Sequence, residues 1–301
     1  MKKWLWIIGT IIGLIVLGIG GYAIYLYQSV ANTVSDMHEP IEREQSEKRQ
    51  EQINPKEKDP ISILLMGVDE RPGDRGRSDT LVVITVNPQD ESMMMFNIPR
   101  DTRTEIVGRG TVDKINHAYA FGGVPMSIDT VEHFLDIPID YYIKVNMEAF
   151  KEIVDAVGGV TVNNHFAFTY EGYTFEEGEI TLDGDAALAY TRMRKNDPRG
   201  DFGRNERQRQ VINAVIKKGA SFSSLTKFDD ILATLGENVK TNMTFDEMKK
   251  IQGNYRGAIA NTESFEIQGS GQTINGIYYY IVPDEERHSI TAKLKEHLEI
   301  G

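Results

Sequence analysis

The chain has 301 residues and a mass of 34.0 kDa, with a formal charge of −12 and a pI near 5.1. That is enough chain for one large domain with a sizeable core, and its acidity argues against a general nucleic-acid or anionic-membrane binder. Cysteine is absent, which excludes disulfide frameworks, thiol nucleophiles, Cys-ligated zinc and iron–sulfur clusters.

Trp4 to Tyr27 is a run of 24 residues without a charge. As a helix it is long enough for a hydrocarbon core of about 30 Å, with Trp4 and Trp6 at one interface and Tyr22, Tyr25 and Tyr27 at the other. Lys2 and Lys3 precede the run and acids follow it (Asp36, Glu39, Glu42), so the positive-inside rule predicts a cytoplasmic tip over 1–3, a signal anchor over 4–27 and everything else outside the cell. A cleaved signal peptide is the competing reading, disfavoured because the apolar run exceeds the usual length of such a segment. Residues 36–60 hold 13 charged side chains in 25 positions, with Pro40, Pro55 and Pro60. This pattern makes 28–60 a solvated extracellular stalk.

A single globular domain is expected over 61–301. Ile61 to Val68, Thr80 to Val86 and Met93 to Ile98 read as strands covered on both faces. An amphipathic stretch from Pro125 to Leu135, a strand over Tyr141 to Asn146 and a helix over Met147 to Val157, stopped by Gly158-Gly159, come next. Further helices are predicted around Asp185–Tyr190, Asn205–Lys218, 226–238, 244–252 and Asp284–Glu299. Strands are predicted at Val160–Val162, Phe265–Ile267 and Ile277–Val282. Strands mixed with helices at this spacing predict an α/β fold, a three-layer α/β/α sandwich with a mixed central sheet.

Three clusters carry unusual chemistry. Asp69 ends the first strand and Asp79 opens the second. The intervening turn contains Pro72, Gly73 and Gly76 without a helical pattern, so the strands should pair antiparallel and bring both carboxylates to one rim. Beside Arg71, Arg75 and Arg77 they either coordinate a hard cation such as Mg²⁺ or pair with the turn's own arginines. Arg100 stands at the end of the third strand, where crevices form in open sheets, and Lys114 precedes a helix start. From Arg192 to Arg209 the local charge is +4, with six of the sixteen arginines of the chain. Arginine at this density in an acidic chain points to an anion site, with Arg204 and Gln208 on one helical face. No G-x-S-x-G elbow, histidine metal motif or Walker A sequence is present.

The succession Asp69 … Arg77-Ser78-Asp79-Thr80, Ile98-Pro99-Arg100-Asp101-Thr102, Lys114-Ile115-Asn116-His117-Ala118-Tyr119, Ala187-Leu188-Ala189-Tyr190-Thr191-Arg192-Met193-Arg194, Asp201-Phe202-Gly203-Arg204 and Arg207-Gln208 resembles the LytR-CpsA-Psr family. The resemblance implies an extracytoplasmic, membrane-anchored phosphotransferase that moves an anionic glycopolymer, typically wall teichoic acid, from a polyprenyl-pyrophosphate carrier to N-acetylmuramic acid of peptidoglycan. It implies Mg²⁺ on Asp69 and Asp79, and Asp79, Arg100, Arg192 and Arg194 as catalytic residues. Arg71, Lys114, Asp201, Arg204 and Gln208 would complete the pyrophosphate site. Nucleic acid is not an expected partner. The base for the sugar hydroxyl stays open between Asp79 and a hydroxide on the metal. Two other readings use the same site: a non-catalytic sensor of lipid-linked polymer, and a pyrophosphohydrolase with water as acceptor.

Overall fold

In a computed structural model, the described residues are 25, 28, 31–43, 45–70, 76–221 and 238–301. The centre is a six-stranded mixed sheet. Its strands are β1 (Ile61–Val68), β2 (Ser78–Asn87), β3 (Ser92–Asn97), β6 (Tyr141–Val145), β11 (Val239–Thr241) and β12 (Asn261–Glu266), in the spatial order β11-β6-β1-β2-β3-β12. β1, β2 and β3 form an antiparallel meander; β6 joins β1 and β12 joins β3 in parallel, and β11 closes the far edge antiparallel to β6.

Because successive side chains on a strand point to opposite faces, an all-apolar strand must be covered twice. On one face Leu64, Met66, Val68, Leu81 and Phe96 pack on the helices His117–Leu135 (α1) and Asp284–His297 (α6). On the other, Ile61, Ile63, Ile84, Val86 and Met95 face Asp201–Ser221 (α4) and Phe245–Asn254 (α5). The mixed α/β fold with a central mixed sheet therefore agrees with the expectation. Pro125 lies inside α1 rather than at its start: Gly123, at φ 69°, breaks the helical path, and the proline sits in the first turn beyond the break.

A second core lies at one flank. Met147–Ala156 (α2), Gly184–Arg192 (α3) and the hairpin strands Val160–Asn164 (β7), Phe168–Tyr170 (β8), Tyr173–Phe175 (β9) and Gly178–Leu182 (β10) enclose the fully buried Tyr190. Two further hairpins, Arg103–Ile106 (β4) with Thr111–Lys114 (β5) and Ser270–Ile274 (β13) with Ile277–Ile281 (β14), stand outside the main sheet. Sequence reading left β4, β5, β8, β9, β10, β11 and β13 without assignment because strands of three to five residues are too short to display a period.

The stalk expectation over 28–60 is corrected. Residues 31–37 are helical, with Val34 and Met37 buried against Val145, Ala149 and Val239. The backbone of Glu39 bonds Thr241 at 2.8 Å. Arg43 forks onto Glu132 at 2.7 and 2.8 Å, and Arg49 forks onto Asp140 at 2.7 and 2.9 Å with both side chains buried. The charges that suggest a solvated spacer instead find partners some 90 residues away and hold the segment on the domain. Among the described residues no helix is long and apolar enough to cross a membrane. The anchor expected over 4–27 lies outside the described residues apart from Tyr25, and so does the helix expected at 226–238 apart from residue 238.

Candidate active site

Between the sheet and helices α2, α4 and α5 lies a cavity of about 890 Å³. Its floor runs along β1 through Ile63, Leu65 and Gly67 to Asp69. Six residue steps lead from Ile63 to Asp69, so the floor is roughly 20 Å long. Away from Asp69 most of its lining is apolar, with Ile84 and Met93 of the sheet, Ile212 of α4 and Met248 of α5, joined by Lys249, Gln252 and Arg256. Its polar end holds Asp69, Asp79, Arg192, Arg204 and Gln208. The cavity is thus amphipathic along its length, within the usual size range for small-molecule sites.

The acidic side of the mouth follows from the meander. β1 and β2 pair antiparallel down to Gly67 opposite Thr80, with a bulge between Gly67 and Val68. The backbone N–H of Asp69 and that of Asp79 both bond the carbonyl of Arg77, at 3.3 and 3.1 Å, so the two acids emerge side by side at the ends of β1 and β2. Arg100, just past β3, donates to Asp79 at 3.0 Å. Asp101 stands 3.9 Å from the same guanidinium and accepts from Lys114 Nζ at 2.6 Å, which ties the end of β5 into the group. Arg71 lies outside the described residues.

The basic side comes from the first two turns of α4 and from the end of α3. Arg204 is 9% exposed. Its Nη2 stands 2.7 Å from Asp201, yet the angles make no hydrogen bond, and Nε has no hydrogen-bond partner among the described residues. Burial pushes its pKa below the ordinary guanidinium range; Asp201 opposes this shift, and Arg100 and Arg194 add to it. Arg204 thus presents a buried guanidinium with unmet donors on the cavity wall, a chemistry suited to anions. Arg192, the last residue of α3, and Arg194, beyond its cap at Met193, are about half exposed. Arg192 contacts Met147 Sδ at 2.9 Å and Glu171 at 3.7 Å, and Arg194 stands 3.9 Å from Asp201.

The arginine-rich window therefore divides into two jobs. Arg207 is buried, bonds Asp197 and the carbonyls of Met193 and Tyr190, and packs over the Phe168 and Tyr190 rings. It pins the 193–200 loop to α4. Gly203 is required there, because a Cβ would overlap the Asp197 carboxylate. Arg209 is also buried, between Asn97 and Glu266. Arg192 and Arg204 instead line the cavity, with Arg194 near its mouth beside Asp201.

The family model described as LytR_cpsA_psr matches residues 24–296. The chain belongs to the LytR_cpsA_psr family. It is 58% identical over 290 residues to the polyisoprenyl-teichoic acid–peptidoglycan teichoic acid transferase TagU of Bacillus subtilis (strain 168), covering 96% of this chain and 94% of that one. It is 59% identical to the TagU of Halalkalibacterium halodurans over the full length of both. Among solved structures it matches TagT bound to LIIa-WTA with a TM-score of 0.76, at 33% identity, covering 87% of this chain and 100% of that one.

Of the residues expected at the site, Asp69, Asp79, Arg192, Arg204 and Gln208 line the cavity. Arg100, Arg194 and Asp201 lie within electrostatic reach of Arg204, and Lys114 joins through Asp101. Sequence reading gave no role to Glu70, which accepts from the Tyr119 hydroxyl and from Lys144 at 3.4 Å, beside Asp69. It also missed Asn97, a polar residue in an otherwise apolar strand; that anomaly, one residue before Ile98-Pro99-Arg100, was the available signal.

Proposed function

We propose that this chain transfers an anionic glycopolymer of the wall teichoic acid class from a polyprenyl-pyrophosphate carrier to a hydroxyl of peptidoglycan. The observation that carries the reading is the cavity itself: a floor of roughly 20 Å, mostly apolar away from its mouth, ends at a buried arginine with unmet donors. An isoprenoid tail matches the apolar stretch and a diphosphate matches the mouth. TagU relatives identical over more than half their residues support the same substrate class.

Transfer requires the acceptor hydroxyl to form a new O–P bond at the glycan-side phosphorus while the bridging P–O bond breaks and polyprenyl phosphate leaves. The hydroxyl proton passes to a base, and negative charge builds on the departing phosphate. Arg204 donates Nε and Nη2 to phosphate oxygens and loses little on reorganisation because packing already fixes it. Arg192 and Arg194 supply further cations at the open rim, where a polymer can enter. Asp201 holds Arg204 and Arg194 in place. Arg100 orients the Asp79 carboxylate through its hydrogen bond.

The donor set also fits a hard cation: Asp69 and Asp79, two carboxylates from one turn facing a phosphate site, are the ligands a Mg²⁺ ion shared with a diphosphate takes. When bound, it would neutralise charge on the diphosphate. The run Trp4–Tyr27 serves as a signal anchor, placing the domain outside the cell membrane as a single-pass type II protein with its cavity close to lipid substrate.

The deciding experiment incubates the purified full chain with Mg²⁺, a polyprenyl-pyrophosphate glycan and peptidoglycan oligomers, and follows covalent transfer by mass spectrometry. Transfer that is lost in Asp79→Ala is expected. Lipid binding without turnover would make the protein a sensor, and acceptor-independent release of glycan phosphate would make it a hydrolase.

A further inference from the structure

Gln208 lines the cavity mouth, but its neighbours decide which end of its amide faces in. Arg209 Nη1 lies 2.9 Å from Asn97 Oδ1, and Asn97 Nδ2 lies 3.1 Å from Gln208 Oε1. Asn97 is 4% exposed and Arg209 is 6% exposed, and neither belongs to the cavity wall. A guanidinium can only donate, so the atom of Asn97 that meets Arg209 must be its oxygen. The amide nitrogen of Asn97 then has to face Gln208, and only the oxygen of Gln208 can accept from it. This leaves Nε2 of Gln208, with two N–H donors and no hydrogen bond among the described residues, for the cavity. Arg209 is itself fixed by a second bond, from Nη2 to Glu266 at 3.2 Å.

We propose that Arg209 and Asn97 are positioning residues that lock Gln208 as a hydrogen-bond donor to the diphosphate of the lipid-linked substrate. Without the lock, the Gln208 amide could turn its carbonyl oxygen toward the phosphate, exchanging an attraction for a repulsion. The chain of polarity runs in one direction: a permanent cation on α4 fixes an amide on β3, which fixes a second amide back on α4. This inference rests on the diphosphate reading of the cavity.

The test is Asn97→Asp in the full chain. The new carboxylate still accepts from Arg209, so the buried pairing survives, but it cannot donate to Gln208. Gln208 must then turn its nitrogen to that carboxylate and its oxygen to the cavity. A hydrogen bond to a charged group contributes about 1.5–3 kcal/mol, so kcat/KM for the lipid-linked donor should fall by roughly 10- to 150-fold. The KM for the peptidoglycan acceptor should stay within about twofold. Because the substitution adds a charge, the cycle with Gln208→Ala is decisive: in that background Asn97→Asp should cost less than about twofold. An equal loss in both backgrounds would show a through-space or folding effect and overturn the proposal. Asn97→Ala, which adds no charge, provides a second cycle should Asn97→Asp fold poorly; it should also cost activity only while Gln208 is present. If Gln208→Ala itself leaves kcat/KM unchanged, the lock has nothing to act on and the proposal falls, while transfer by the wild-type chain keeps the functional reading intact. A wild-type chain inactive on the lipid-linked donor would sink that reading instead.

Discussion

The docking of residues 31–60 on the domain can be tested at Arg49. Its guanidinium meets both oxygens of Asp140 and also bonds the Pro60 carbonyl at 2.8 Å, with the two side chains 7% and 4% exposed. Arg49→Met would leave a buried carboxylate without its cation, a loss of about 3–5 kcal/mol for a broken buried pair. Asp140 keeps two other donors, the backbone N–H of Ser62 at 2.8 Å and the Ser62 hydroxyl at 2.9 Å, so the lower end applies. For a domain of this size about 3 kcal/mol corresponds to a fall in Tm of about 6–12 °C. Differential scanning fluorimetry of the detergent-solubilised chain, with Asp140→Asn and the double variant completing the cycle, measures it. The double variant should recover part of the loss, because it leaves no unpaired charge. A Tm change under about 1 °C in Arg49→Met, far below the expected shift, would mean that the segment does not pack as described, and the expectation of a solvated stalk would return.

Three further outcomes follow from other groups. Arg204→Met should lower transfer by about 10²- to 10³-fold, the usual cost of one preorganised donor, without lowering Tm, since its buried charge has unmet donors; a fall of several degrees would make it structural. Arg207→Gln should instead destabilise by about 3–5 kcal/mol, seen in chemical denaturation, because Asp197 loses its buried partner. His297 sits between Thr85 Oγ1 at 2.8 Å and Ser92 Oγ at 2.9 Å, and burial lowers its pKa below the ordinary 6.5. Below that pH the unfolded chain takes up a proton that the folded chain refuses, so stability is full above about pH 6.5 and declines below it by up to about 1.4 kcal/mol per pH unit. Urea midpoints measured from about pH 7.5 to 5, a range that brackets the ordinary histidine pKa, should show a shallower decline in His297→Gln, and an identical slope would refute the assignment.

Legibility followed locality. The turn joining Asp69 to Asp79 and the Arg204–Gln208 pair could be read because each depends on a single turn or helix, where spacing alone fixes geometry. The docked segment could not, since the charges of Arg43 and Arg49 look solvated until Glu132 and Asp140 are brought beside them. The same holds within the arginine-rich window: Arg207 and Arg204 are alike in sequence and each has a carboxylate beside it, but Arg207 also bonds two backbone carbonyls whereas Arg204 keeps unmet donors on the cavity wall. The cavity was invisible for a different reason. Ile63 and Ile84 carry the same apolar pattern as Leu64 and Met66, and composition does not distinguish a strand face packed by a helix from one that a helix spans at a distance.

The β1-β2-β3 meander has a consequence for how the protein is built. Its strands are joined by connections of nine and four residues, whereas β6 and β12 reach the sheet only after long excursions through the chain. Loop-closure entropy favours the short pairings first. The meander also carries Asp69, Asp79 and, just past its end, Arg100. The acidic side of the cavity mouth can thus assemble on a three-strand nucleus, and substitutions on it should slow refolding, whereas those on α4 should mainly speed unfolding.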